Sequence, residues 1–171
     1  MWLLCIFFAG MLTVVTIQDF RSRAVSWVLF PLMYVSVACI AVPDTGVYPW
    51  LHSSGINLLL IAIQGLLLFA WFSLKDRKMV NLTKAHLGWG DILFIAVPAM
   101  FFSPLYFLFY YVLSLVVALL CGLWILRKEY AERSIPLAGI QAAVLFLFFV
   151  LDMMSDHFNF RNDNWILTLI A

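Results

Sequence analysis

Residues 55–74, GINLLLIAIQGLLLFAWFSL, run without a single charged side chain. About 20 apolar residues are what a helix needs to cross roughly 30 Å of hydrocarbon. In lipid only a helix or a closed barrel satisfies its own backbone. Nothing else in the chain restricts the fold as strongly, because five more apolar stretches repeat the pattern. The six segments are 1–18, 27–43, 55–74, 90–103, 104–126 and 135–151. Hydrophobic residues make up 65% of the chain and charged residues 11%, against about 25% charged in soluble domains. The expected fold class is all-α: a polytopic membrane protein, a bundle of about six transmembrane helices forming one domain over 1–171. The fourth and fifth segments are divided only at Ser103-Pro104, where proline cannot continue a helix. The first segment lacks a basic leader region and a small-residue cleavage site, so it reads as a retained helix. The polar tail, 152–171, ends in WILTLIA, too short to span and expected at the interface.

Charge orients the bundle. Six crossings place the segments DFRSRAVS, KDRKMVNLTKAHLGWG and RKEYAERS on one side. They hold Arg21, Arg23, Lys75, Arg77, Lys78, Lys84, Arg127, Lys128 and Arg133, nine of the ten basic residues. The other side holds Arg161 alone. The positive-inside rule makes the basic loops cytoplasmic and puts both termini outside a cytoplasmic (inner) membrane. The net charge of +1 comes from short loops with no basic face, so nucleic acid is not an expected partner; the lipid bilayer is. Cys5, Cys39 and Cys121 lie apart in apolar stretches. With His52, His86 and His157 equally scattered, no metal or cofactor is implied.

Two carboxylates remain at helix–loop junctions on the basic side, Asp19 in TVVTIQDFRSR and Asp91 in HLGWGDILF. Asp76, Glu129 and Glu132 fall inside the basic loops; Asp44, Asp152, Asp156 and Asp163 fall on the opposite side. A lone interfacial Asp is ordinarily a solvated anchor. Two that approach closely share a proton, and such a pair can take a proton from water with one member and polarise a peptide carbonyl with the other. That chemistry needs neither metal nor nucleophilic side chain. Gly88 and Gly90, without side chains, let an extended peptide approach the backbone. Asp91 opens a helix and Asp19 closes one, so the helix dipoles favour Asp91 as the ionised member and Asp19 as the protonated one.

The GWGD motif, Gly88-Trp89-Gly90-Asp91, resembles the GxGD signature of intramembrane aspartic peptidases. Its order and spacing are similar to those of the prepilin and preflagellin peptidases. In that family an earlier aspartate, matched here by Asp19 in QDFRSRAVSWVLFPLMY, leads into a polar loop and a proline-containing helix. Pro31 fits that helix, and Ser26 stands where a proline is usual. SIPLAGIQAAVLFLF is similar to the family's Ile-Pro-Phe-Gly-Pro stretch opening the last helix. The resemblance implies catalytic Asp19 and Asp91, a motif built on Gly88 and Gly90, and a prepilin-like substrate with a short basic leader. Bacterial members often carry a lysine just after GxGD, where this chain reads DILF. They also often carry a cytoplasmic domain with paired CxxC motifs, so peptidase activity is implied here and methyl transfer is not.

The expectation is a membrane aspartic endopeptidase acting on leader peptides of type IV prepilin-like proteins at the cytoplasmic face. The alternative class is a non-catalytic or diverged membrane protein retaining the Asp pair, an assembly factor or a small proton-coupled carrier. A carrier needs polar groups reaching both faces; Gln64 and Gln141 are the nearest candidates. Cysteine labelling checks the orientation: sites within 75–88 should react from the cytoplasm and sites within 44–54 from outside. The reverse pattern would remove the shared cytoplasmic face on which the pairing of Asp19 and Asp91 rests.

Overall fold

A computed structural model describes residues 2–76, 88–126, 136–154 and 159–163. Most of the two longest basic loops, and the end of the tail from residue 164, lie outside them. Among the described residues the chain is all-helical, with six helices and no strand: α1 (Trp2–Ser22), α2 (Leu29–Thr45), α3 (Val47–Asp76), α4 (Trp89–Phe101), α5 (Pro104–Leu126) and α6 (Leu137–Met154). Four of them, α1, α3, α5 and α6, are long and apolar enough to cross a membrane; α2 and α4 are shorter.

The core is a layer of α1 on α6, with α2 and α4 packed beside it. Residues three and four apart share a helix face, and α1 turns Phe8, Leu12 and Val15 fully inward on that period. On α6, Leu145 and Phe149 answer them; the Phe8 and Phe149 rings meet edge to face at 5.0 Å. Phe101 of α4 closes the group, 5.8 Å from Phe149. By contrast, α3 lies on the outside, with only Ser54 and Asn57 buried among its described side chains.

Three boundaries depart from the sequence-based expectation. Helix α1 does not stop at residue 18 but runs to Ser22, so Asp19 lies within the helix and not at its junction. Arg23, at φ 55°, ends it, its N–H donating to the Asp19 carbonyl at 3.1 Å. The polar segment 43–55, expected as a loop, is mostly helical: α2 and α3 are divided by Gly46 alone, at φ 85°. Pro49 then sits in the first turn of α3, where no intrahelical N–H is needed. Helix α4 ends at Phe101, two residues early, and its 13 residues rise only about 20 Å.

The short end of α4 leaves carbonyls that proline cannot serve, since Pro104 has no N–H to reach back to Met100. The Trp50 indole N–H donates to the Met100 carbonyl at 2.8 Å, and the Asn57 amide donates to those of Ala99 and Phe102, both at 2.9 Å. Residues 159–163 cover the same turn: the Ser103 N–H donates to the Phe160 carbonyl at 3.0 Å. Arg161 bonds both Asp44 of α2 and Asp152 of α6, with its guanidinium over the Phe101 ring. The expected lone cation of that side is therefore an internal tie between helix ends. Asn57→Leu should strip two buried carbonyls of their donor and cost about 1–3 kcal/mol, read as a lower unfolding midpoint in detergent.

Candidate active site

Asp19 continues the buried stripe of α1, four residues beyond Val15, and is only 7% exposed. Asp91 likewise precedes Phe94, Ile95 and Pro98 on the inward face of α4. Helical period thus carries both carboxylates into the bundle instead of out to solvent. They meet at the start of α6. The Gly139 N–H donates to Asp19 Oδ2 at 2.6 Å, and the Ala138 N–H donates to Asp91 Oδ1 at 3.0 Å. These are amides of the first turn, which have no carbonyl four residues back within the helix to receive them. Two carboxylates from distant parts of the chain are held by consecutive amides.

Asp91 also accepts from the Gly88 N–H, at 3.3 Å, the backward reach of an acidic residue in a helix's first turn. Gly88 is extended, at φ −70° and ψ 142°, and a Cβ on it would stand 3.1 Å from Asp91 Oδ2. Its lack of a side chain admits the carboxylate. Gly90 differs: a Cβ there meets nothing within 4 Å, so packing does not demand glycine.

Both carboxylates line one cavity of about 610 Å³, open at the end of the bundle, whose other walls include Arg23, Gly88, Trp89, Gly90 and Ala118. All four residues singled out from the sequence therefore come together there. Gln18, just before Asp19, accepts the Ser26 N–H at 3.0 Å and fixes the turn leaving α1. The dipole argument separating the two aspartates weakens, because the positive end of α6 serves both.

Gly139 was not singled out by sequence reasoning. A Cβ on it would lie 2.9 Å from the Phe20 ring and 3.1 Å from both Cβ and Oδ2 of Asp19, so only glycine lets α6 approach α1 this closely. A glycine in the first turn of an apolar helix carries no such signal without its neighbour. Also missed were Asn57 and Ser103, polar groups in the half of the bundle away from the dyad. Both are committed, Asn57 to two carbonyls and Ser103 to Phe160 and Asp163. Among the described residues no cluster of three metal-ligating side chains occurs.

Comparison with protein-family models, curated proteins and solved structures gives no match.

Gly139→Ala should force apart Asp19 and α6, at an overpacking cost of about 1–3 kcal/mol. Gly10→Ala, where a Cβ meets nothing within 4 Å, should cost nothing measurable. Unfolding midpoints of the two variants in one detergent compare them directly.

Proposed function

We propose that the chain is a membrane-embedded aspartic endopeptidase, and that it removes short basic leaders from type IV prepilin-like proteins at the cytoplasmic membrane face. One observation carries the peptidase reading: Asp19 and Asp91, far apart in sequence, accept hydrogen bonds from consecutive amides and wall one cavity. The substrate class rests on the GxGD resemblance, and the orientation on the basic loops.

The dyad holds one proton between its two carboxyl groups. The ionised member takes a proton from a water lying between them, while the protonated member donates to the carbonyl oxygen of the scissile peptide. The water oxygen attacks the carbonyl carbon and forms a tetrahedral diol. Transfer of a proton to the amide nitrogen then lets the C–N bond break, releasing a carboxylic acid and an amine. The Gly139 bond holds Oδ2 of Asp19, while Asp91 is held at both oxygens, Oδ1 by Ala138 and Oδ2 by the longer bond from Gly88. Gly90, free of any packing demand, leaves room for the substrate backbone beside Asp91.

Departures from the family pattern bear on this reading. Aligning Ile135-Pro136 with its Ile-Pro puts Gly139 where the family stretch ends in proline, which has no N–H to give. A proline at that position could not give the bond that Gly139 gives to Asp19.

The alternative also has an observation in its favour. Each carboxylate already has an amide partner, as a purely structural clamp on α6 would require. A proton carrier is less well supported, since the Asn57 amide is spent on two backbone carbonyls and Ser103 on Phe160 and Asp163.

The test is cleavage of a co-expressed substrate with a basic leader and an apolar helix. Asp19→Asn and Asp91→Asn should each reduce cleavage by more than about 10³-fold while still accumulating in the membrane. Asp76→Asn, at the last residue of α3, should leave it near wild type. Undiminished cleavage by either dyad variant would eliminate the aspartic mechanism; stable variants with no cleavage by wild type would favour the clamp.

A further inference from the structure

A second cavity, of about 280 Å³, lies on the other side of Asp91, between α3, α4, α5 and α6. It shares Asp91 and Leu137 with the dyad cavity, so an occupant touches the carboxylate from within the bundle. The two cavities differ in chemistry. The first has Arg23, Asp19 and the glycine backbone in its walls; the second is mainly aliphatic, with Ile61, Leu68, Ile95 and Leu115. A peptide crossing the dyad therefore has polar surroundings on one side and an apolar recess on the other.

We propose that this recess is the side-chain subsite of the dyad, and that Gly65 sets the size of apolar side chain it admits. The proposal rests on the peptidase reading above. Gly65 is part of the wall contributed by α3, and a Cβ built on it meets nothing within 4 Å. A side chain there therefore starts in open space, and one that turns toward the recess takes up its volume. The occupant is a peptide side chain and not a lipid tail. Adjacency to the dyad cavity, with Asp91 and Leu137 in both walls, sets the recess beside the reacting backbone. Gln141, 2% exposed, lines the same wall, and its side-chain oxygen has no partner among the described residues. Gln64 and Asp91 are further polar residues of the lining, which a peptide can use and an acyl chain cannot. An α3 that buries little of itself in the bundle also gives a membrane-embedded substrate a way in from the side.

The experiment uses the full chain in detergent micelles and peptides with a basic segment followed by an apolar helix. Ala, Leu or Phe is placed at each position flanking the bond that is cut. Wild type should cleave Leu and Phe guests better than Ala at one of these positions. Gly65→Leu should lower the Phe-to-Ala ratio of kcat/KM at that position by at least about tenfold, the scale of hydrophobic pocket discrimination. Leu66→Ala, on the same helix but outside the recess, should leave the ratio unchanged. A ratio unaltered by Gly65→Leu, or equally altered by Leu66→Ala, overturns the subsite. A photo-reactive leucine analogue at the guest position, bound to Asp19→Asn, should cross-link to residues 61–68. Cross-links there with no cleavage by wild type would overturn the peptidase reading while supporting the recess as a peptide site. Cleavage by wild type with cross-links elsewhere would do the opposite.

Discussion

The first turn of α6 is the point on which the rest depends. Its amides have no helical partners, and in an apolar bundle each must find an acceptor or cost several kcal/mol. Here the acceptors are carboxylates from two other helices. The arrangement solves two problems at once, since a buried carboxylate is as costly without donors as a buried amide without acceptors. The hydrogen bonds described for Asp19 and Asp91 come from backbone amides, those of Gly139, Ala138 and Gly88.

Close approach makes it possible. Gly139 brings α6 against α1, and Gly88 lets Asp91 fold back over its own helix start. Both glycines act by absent volume rather than by unusual backbone angles. The left-handed positions, Gly46 and Arg23, do something else: each stops a helix, one between α2 and α3 and the other just past Asp19. Arg23 is thereby set at the cavity wall, one turn from the carboxylate.

Much of this was legible in the sequence. Six apolar segments specify six helices, and the structure brings Asp19, Asp91 and the start of α6 together at one end. The two aspartates stood out because other acidic residues lay in plainly polar stretches. What was hidden is tertiary. The stretch 43–55 looks like a loop because it holds Pro, Asp and Gly, yet only Gly46 breaks the helix. Residue 18 looked like a stopping point because the sequence turns polar, but Gln18 and Ser22 cap and brace the turn: the Ser22 hydroxyl donates to the Gln18 carbonyl at 2.8 Å. Gly139, Asn57 and Arg161 gave no local sign, since each one's role belongs to a partner remote in sequence.

The turn at Ser103-Pro104 has a consequence for how the molecule is assembled. Its carbonyls are served from α3, made earlier, but the Ser103 N–H waits for Phe160, made nearly a third of the chain later. Asp44 waits longer still for Arg161. During synthesis α4 and α5 therefore enter the bundle with one corner unfinished, and the segment around residue 160 completes it from the far side. A nascent chain halted after α5 lacks Phe160 and Arg161, so at that corner Ser103 and Asp44 are without the partners they have in the whole bundle.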